Sequence, residues 1–330
     1  MLKARLTGRR VVPFLLALSA FAFGGAAIAE QPQQVEAEAS AEVEPPVPLL
    51  WKATAGDRSL YLLGSFHLLK QGDYPLSADV DAAFEDAAAV VFEIPPKELQ
   101  SPDLGVKMGQ AAMRTDGTPL DSVLPEETAA ALAAWAEENA ASLQQMQLSP
   151  QVLQMFQPWF VSLMVTMTEM GKYGLDPELG LDNHMANRAA EAGKPTSGLE
   201  TADQQIALFT GMSPEEQVQF LQSALEATGE EGKLEIARLH EAWRNGDVRV
   251  IWDEMGVEMR DEFPAVYQRI NVDRNDAWVP QLERMLDGEG SGNTLVVVGA
   301  LHLVGEDGVV EKLEGRGYEV ERICSACVEE

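Results

Sequence analysis

Two apolar stretches near opposite ends of the chain decide the fold, and each one ends in the same short motif. The first is Leu60-Tyr-Leu-Leu-Gly-Ser-Phe-His67, and the second is Thr294-Leu-Val-Val-Val-Gly-Ala-Leu-His302. Apolar runs of this kind are typical of buried strands. The glycine after each run allows a tight turn, and the histidine three residues later can then lie over the carboxyl edge of the sheet. Because the chain has only four histidines, the repetition predicts one shared site built from both ends of the chain.

A third predicted strand lies between these two and also ends in a polar residue. Residues 77–88 have the pattern of a helix, and the following Ala89-Val-Val-Phe-Glu93 has the pattern of a strand closed by Pro95-Pro96. The strand–helix–strand order predicts that this strand pairs in parallel with the strand that leads to His67. Glu93 then lies at the same sheet edge, where its carboxylate needs a partner because an unpaired buried charge is costly.

The middle of the chain, roughly 104–287, is predicted to be mostly helical, with one short strand at 196–199 that places Glu200 at its end. Further helices are predicted at several places, including 248–260 and 274–287. The chain closes with the second histidine strand, a helix near 308–314 and a last strand at 318–323. The predicted fold class is therefore α/β (mixed α+β), with a small central sheet from two βαβ-like modules at the chain ends and a large helical insert.

The N-terminal residues carry a targeting pattern. Residues 1–29 combine a basic start, an apolar stretch and Ala27-Ile-Ala29, which together predict a cleaved secretory signal peptide; an uncleaved membrane anchor is the alternative. Residues 30–48 are acidic and rich in proline and alanine, as a flexible linker is. We therefore expect one folded domain over 49–330 in a periplasmic or secreted protein, with no stable membrane span after cleavage. No cysteine follows the cleavage site, which argues against a lipid anchor.

The charge balance limits the partners. The formal net charge is −29. The predicted signal peptide contains basic residues but no acidic ones, so its removal makes the net charge of the mature chain more negative still. Such a charge disfavours nucleic acids and anionic lipid surfaces and attracts cations. It leaves the oligomeric state open.

The two cysteines and the two remaining histidines are assigned no role in the site. Cys324 and Cys327 lie at the end of the chain. In an oxidising compartment they are expected to form a local structural disulfide, and a redox or metal pair is the alternative. His184 and His240 both lie in helical patterns without a second histidine four residues away, so surface or capping positions are expected for them.

Four polar residues at predicted strand ends form the candidate site: His67, Glu93, Glu200 and His302. Two imidazoles and one carboxylate, here His67, His302 and Glu93, are a common ligand set for a catalytic divalent metal. A bound metal lowers the pKa of its water towards about 7 and so supplies a nucleophile at neutral pH. The second carboxylate, Glu200, can then act as a general base or orient a ligand.

Arg274-Asn275 opens the helix just before the last sheet module. One interpretation is a capped surface helix with a salt bridge. The other is a catalytic role, in which a cation and an amide stabilise a developing oxyanion. The pattern alone favours the surface helix.

The order of these motifs resembles that of the TraB/PrgY/GumN family, which includes the Tiki proteases. The resemblance extends from about 49 to 323 and includes the two Gly-x-x-His motifs, the strand ending in Glu93, and the segments Gly198-Leu-Glu-Thr-Ala-Asp-Gln204, Trp243-Arg-Asn-Gly-Asp247, Arg274-Asn275 and His302-Leu-Val-Gly-Glu-Asp-Gly308. It implies a fold similar to the erythromycin-esterase and ChaN groups. It also implies metal-dependent proteolysis with manganese or cobalt at a site formed by His67, His302 and Glu93.

Three functional hypotheses follow. The first is an exported metal-dependent hydrolase, a peptidase acting on peptides or unfolded protein segments, with Mn, Co or Zn as the metal and with Glu200 or Glu93 managing protons. The second is a non-catalytic protein that binds haem, metal or peptide. The third is a metal-free esterase-like hydrolase in which His67 or His302 is the general base.

Overall fold

The computed structural model describes residues 44–288 and 292–327. The predicted signal peptide, 1–29, and most of the predicted linker lie outside the described residues. The described residues form six strands: β1 (Leu50–Ala55), β2 (Arg58–Ser65), β3 (Ala87–Phe92), β4 (Thr196–Gly198), β5 (Asn293–Gly299) and β6 (Glu319–Arg322).

The helices of the described residues lie mostly between β3 and β5. They are α1 (Ala78–Asp86), α2 (Pro96–Leu99), α3 (Pro102–Ala112), α4 (Glu126–Glu138), α5 (Ala140–Gln145), α6 (Pro150–Leu153), α7 (Pro158–Gly171), α8 (Leu181–Glu191), α9 (Ala202–Thr210), α10 (Pro214–Glu226), α11 (Gly229–Arg244), α12 (Val248–Ile251), α13 (Val257–Glu262), α14 (Pro264–Tyr267), α15 (Asp273–Leu286) and α16 (Val309–Glu314). The predicted fold class is confirmed: a mixed sheet from the two ends of the chain with a large helical insert.

The six strands form one mixed sheet in the order β4-β3-β5-β2-β1-β6. β2, β5, β3 and β4 run parallel, whereas β1 is antiparallel to both β2 and β6. In the register, Ser65 pairs with Gly299, and Phe92 pairs with both Val297 and Gly198. The carboxyl ends of the four parallel strands therefore meet at one edge of the sheet.

The predicted direct pairing of β2 with β3 is wrong, because β5 lies between them and pairs in parallel with both. The side chains of Leu295, Val296 and Val297 are all fully buried, which agrees with a central place in the sheet, where both faces of the strand are covered. The prediction relied on chain order, which does not reveal that a strand from the far end enters the sheet between two earlier ones. Since all three strands are parallel, their carboxyl ends still share an edge.

Two apolar cores lie in the described residues. One surrounds the sheet and includes Trp243 and Trp278, and the other lies within the helical insert around Trp159, Phe209 and Phe220. The site lies where the sheet edge faces the insert. Within the described residues, no helix has the length and apolar character needed to cross a bilayer.

The last residues of the predicted linker pack onto the domain. Pro46 and Pro48 are buried, and Val47 N–H donates to the carbonyl oxygen of Arg244 over 2.7 Å. At the other end of the chain, Cys324 and Cys327 form a disulfide. The local disulfide expected for these two cysteines is therefore present.

Candidate active site

All four strand-end residues lie at the same sheet edge. His67 follows β2, Glu93 follows β3, Glu200 follows β4, and His302 follows β5 in a 3-10 turn, Ala300–Leu303. Glu93 Oε1 accepts a hydrogen bond of 2.7 Å from Gly299 N–H, which links the end of β3 directly to the end of β5. His67, Glu93 and His302 each have at most 4 % of their surface exposed. The site is therefore enclosed.

His67 is paired with Asp182, a residue in the first turn of α8. The distance from His67 Nδ1 to Asp182 Oδ2 is 2.5 Å, and Ser65 Oγ donates to the same oxygen over 2.6 Å. α8 starts close to His67, because Leu181 N–H donates to the carbonyl oxygen of Phe66. A carboxylate on Nδ1 fixes the orientation of the ring and favours the tautomer that carries the Nδ1 proton, as in catalytic His–Asp pairs.

His302 is held on both ring nitrogens. Nδ1 lies 2.8 Å from Asn275 Oδ1, and Nε2 lies 2.9 Å from Nη1 of Arg274. A guanidinium can only donate, so Nε2 is the acceptor and the single ring proton lies on Nδ1. Burial and, after it, the positive charge of Arg274 together lower the pKa of His302 to about 3. The imidazole of His302 is therefore neutral across the physiological pH range.

Arg274 is the central cation of the site. Its Nε donates to Glu200 over 3.1 Å, and its Nη2 donates to Glu93 and to Glu200. Burial opposes its charge, but the two carboxylates outweigh that effect and raise the pKa of Arg274. Gln205 bridges the same two carboxylates through Nε2, at 3.1 Å from Glu93 and 2.7 Å from Glu200.

Trp278, one helical turn after Arg274 on α15, closes one side of the cluster. Its ring centroid lies 4.7 Å from Arg274 Cζ and 4.5 Å from the ring of His302. Asn275 is also tied down, because its Nδ2 donates to the carbonyl oxygen of Asp307 over 2.8 Å. Arg274 and Asn275 are both buried, so the surface-helix interpretation of this pair is wrong.

The predicted metal ligands do not fit a divalent ion in the arrangement described. The guanidinium of Arg274 lies against His302 Nε2 and the carboxylate of Glu93, which are two of the three predicted ligand atoms. A dication beside this guanidinium would meet strong repulsion. No group of three His, Cys, Asp or Glu side chains among the described residues is arranged to hold a metal. The metal role of His67, Glu93 and His302 therefore stays a prediction.

A small cleft leads towards the buried groups. It is lined by Ile94 and Leu99 on the side of β3 and α2, and by Asn183 and Ala186 on α8, and it reaches Glu93 and Asp182.

Three residues of the cluster were not predicted from the sequence: Asp182, Gln205 and Trp278. Gln205 directly follows a segment that was recognised, and Trp278 lies four residues after Arg274 on a predicted helix, so the helical period could have indicated both. Asp182 gave no such signal, because only the fold brings α8 to β2.

The two other histidines lie outside the site. His184 is half-buried, and its ring packs against that of Tyr74 at a tilt of 31°, with centroids 4.2 Å apart. The surface or capping position expected for His240 is wrong. His240 is buried on α11, and its Nε2 lies 2.8 Å from Asp73, which also accepts from Arg244. Trp243 on the same helix donates to the carbonyl oxygen of Gly64 over 2.9 Å, so this cluster supports the turn before His67.

A parallel sheet edge that gathers two Gly-x-x-His histidines, a strand-end glutamate and a buried Arg-Asn pair defines the class of protein. The chain belongs to the TraB/PrgY/gumN family, whose profile matches residues 49–322. It is also similar to the uncharacterised protein YbaP of Escherichia coli K12, with 24 % identity over 260 residues, which cover 78 % of this chain and 89 % of that protein. YbaP of Shigella flexneri matches to the same extent. No solved structure matches the chain significantly.

Proposed function

We propose that this protein is a hydrolase that cleaves peptides or unfolded protein segments with a water molecule activated by His67. The observation that carries the proposal is the buried His67–Asp182 pair, with Nδ1 and Oδ2 2.5 Å apart, at the same sheet edge as the buried guanidinium of Arg274. The charge of His67 lowers the pKa of His302, and both imidazoles are buried, so the two rings lie near each other in a space away from water. Such a space strengthens electrostatic stabilisation.

The roles of the side chains follow from their charges. His67 takes a proton from water as the water oxygen attacks the scissile carbonyl carbon, and Asp182 stabilises the imidazolium that forms. Arg274 supplies the positive charge that stabilises the oxyanion. His67 then returns the proton to the leaving amine as the carbon–nitrogen bond breaks. Glu93, Glu200 and Asn275 keep Arg274 and His302 in place in this scheme, and the substrate enters through the cleft beside α2.

The proposal is tested with the purified chain and a mixed peptide library, with products identified by mass spectrometry. We expect cleavage by the wild type and by His184→Gln, a histidine variant outside the site, and no cleavage by His67→Gln. Equal cleavage by His67→Gln would contradict the proposal. Stoichiometric peptide binding without turnover would favour the non-catalytic hypothesis instead.

Metal-dependent hydrolysis by Mn, Co or Zn is the second candidate, and one observation favours it. Nδ1 of His67 and Nδ1 of His302 both lie against a side-chain oxygen, as is usual for histidines that bind metal through Nε2. His67, Glu93 and His302 would hold the ion once Arg274 had moved away. Activity that survives strong chelation favours the metal-free proposal, and activity that chelation abolishes and Mn²⁺ restores favours this one.

The place of action is part of the same proposal. The predicted signal peptide and the strongly acidic mature chain agree with a periplasmic or secreted protein. Detection of the chain in the periplasmic or culture fraction, cleaved after Ala29, is the expected result. Retention of the uncleaved chain in the membrane fraction would contradict it.

A further inference from the structure

The cleft beside α2 combines apolar walls with acidic groups at its inner end. Its walls include Ile94, Leu99 and Ala186, and it reaches the carboxylates of Glu93 and Asp182. These two acids are only 1 % and 7 % exposed. No basic side chain lies among the described residues that line the cleft. A ligand that fits the cleft is therefore apolar where it meets the walls and carries hydrogen-bond donors at its inner end.

Asp182 has one carboxylate oxygen to spare. Its Oδ2 lies 2.5 Å from His67 Nδ1 and accepts from Ser65, whereas its Oδ1 has no hydrogen-bond partner among the described residues. An oxygen left unpaired on a buried carboxylate costs stability until a donor reaches it. Because Oδ2 is turned towards His67, Oδ1 is the oxygen that remains for a ligand in the cleft.

Asn183, the next residue of α8, offers a second acceptor at the same cleft. Its Nδ2 donates to the carbonyl oxygen of Pro177 over 2.8 Å. A carbonyl can only accept, so the amide atom beside it is the nitrogen, and Oδ1 is left without a partner within the described ranges. Two acceptors on consecutive residues match an ammonium group, which has three donors and no acceptor.

The buried charges of the site also favour a cation in the cleft. Glu93, Glu200 and Asp182 supply three carboxylates, and Arg274, the permanent cation of the cluster, contacts the first two of them. Even with His67 protonated, one negative charge among these five groups remains unbalanced. A bound ammonium group would offset that charge, and the apolar walls would strengthen the attraction by excluding water.

We propose that this cleft binds the free amino terminus of a peptide whose first side chain is apolar. The terminal ammonium donates to Asp182 Oδ1 and Asn183 Oδ1. The first side chain packs against Ile94, Leu99 and Ala186, and Ala186 limits its size because it lies on the same helix as the two acceptors.

Binding in this position also determines where a hydrolase would cut the peptide. Asp182 Oδ2 is 2.5 Å from His67 Nδ1, and an extended chain advances about 3.5 Å per residue, so an ammonium group on Oδ1 brings the first peptide bonds to the imidazole. This consequence, the removal of residues from the amino terminus, rests on the proposed function. The binding of the amino terminus does not.

The test of binding uses isopentylamine, which has the ammonium group and the branched side chain of an amino-terminal leucine but no peptide bond to cleave. Isopentanol is its uncharged match. In calorimetric titration of the purified chain at pH 7, we expect one equivalent of isopentylamine to bind at least tenfold more tightly than isopentanol. No binding of the amine, or equal binding of the two ligands, would overturn the inference. This comparison needs no substitution, so it decides the inference even where a variant does not fold.

Variants of α8 then locate the ligand. Asp182→Asn removes the charge and Ala186→Leu fills the cleft, so each should weaken the binding of isopentylamine at least tenfold. Ala190→Leu, the same change at an exposed position of the helix, is the matched control and should bind as the wild type does. Unchanged binding by a folded Ala186→Leu would place the ligand elsewhere and overturn the inference.

Cleavage of a peptide that begins with leucine, compared with its amino-terminally acetylated form, separates this inference from the proposed function. We expect the wild type to cleave the free peptide at its first bonds and the acetylated peptide at least tenfold more slowly. Binding of isopentylamine without cleavage of either peptide would support the role of the cleft and contradict the proposed hydrolase. Equal cleavage of both peptides at internal bonds would support the hydrolase and overturn the inference.

Discussion

Asp182 determines the orientation and the tautomer of His67. Its Oδ2 accepts from Ser65 and lies against His67 Nδ1, so the carboxylate both orients the ring and balances the charge that the ring gains on protonation. The pair is buried, and a neutral substitute at this position would therefore change the tautomer of His67 rather than simply weaken a surface contact.

Asp182→Asn is the sharpest residue-scale prediction. The amide keeps the shape but can present an N–H to Nδ1, which reverses the tautomer of His67. We expect kcat/KM for peptide cleavage to fall by at least about 100-fold, the order of effect of losing a general base. Ser65→Ala is the matched variant, because it removes only one donor to the same oxygen and should cost about tenfold or less. Circular dichroism checks that both variants fold. Equal activity of Asp182→Asn and the wild type would contradict the proposed role.

Gly180, the residue before α8, controls how closely that helix approaches the His67 turn. A Cβ built on Gly180 would lie 2.1 Å from the carbonyl oxygen of His67, an overlap with backbone that no rotamer change can relieve. The close approach places Asp182 beside His67. At the scale of the element, this glycine therefore sets the geometry of the pair.

Gly180→Ala should displace α8 from β2 and so separate the pair. We expect a loss of stability of about 1–3 kcal/mol, as for overpacked sites, together with a large loss of activity. Urea unfolding and peptide cleavage measure the two effects. Gly171→Ala is the matched control, since a Cβ there meets nothing within 4 Å and the glycine lies at the end of α7. Similar effects of the two substitutions would show that the contact with His67 is not what matters.

The sequence predicted the parts of the fold that local pattern determines. The strands before His67 and His302, the helix α15 and the short strand β4 were all expected where they occur, because apolar runs, glycines and helical periodicity are local signals. The place of β5 between β2 and β3 could not be predicted, because pairing between parallel strands leaves no mark on the sequence of either strand.

The candidate site also has a part that the sequence predicts and a part that it does not. The residues at strand ends were found because the end of a strand is visible in the sequence, but their partners were not. Asp182 reaches His67 only through the packing of α8, and Gln205 reaches Glu93 only through α9. The predicted continuous helix at 248–260 is interrupted by a π-helical turn, Trp252–Gly256, and a second such turn, Gln268–Val272, leads into Arg274. Turns of this kind are rare and often occur at functional sites, but helical periodicity does not reveal them.

At the scale of the whole molecule, the helical insert holds the site together from outside the sheet. The sheet edge supplies His67, Glu93, Glu200 and His302, and the insert supplies Asp182 and Arg274, which partner them. Each imidazole is thus paired with a residue from a different layer of the fold. Because the residues of the cluster come from distant segments, the cluster forms only when the whole domain folds. The stability of the cluster is therefore part of the stability of the domain.

The pH dependence of global stability follows from the buried neutral histidines. Burial lowers the pKa of His302 to about 3, and burial followed by the charge of Arg188 lowers the pKa of His184. In the unfolded chain both titrate near 6.5, so below that pH the unfolded state binds more protons and the folded state loses stability. From pH 7.5 to 5.5 we expect the free energy of unfolding to fall by about 1.4 kcal/mol from His302, with a smaller share from the half-buried His184. Urea unfolding at the two pH values measures the loss.

Two variants of α8 test the share of His184. His184→Gln should reduce the loss of unfolding free energy between the two pH values, whereas Asn187→Gln, at an exposed position on the same helix, should leave that loss unchanged. A loss of the same size in His184→Gln and the wild type would contradict the contribution of His184.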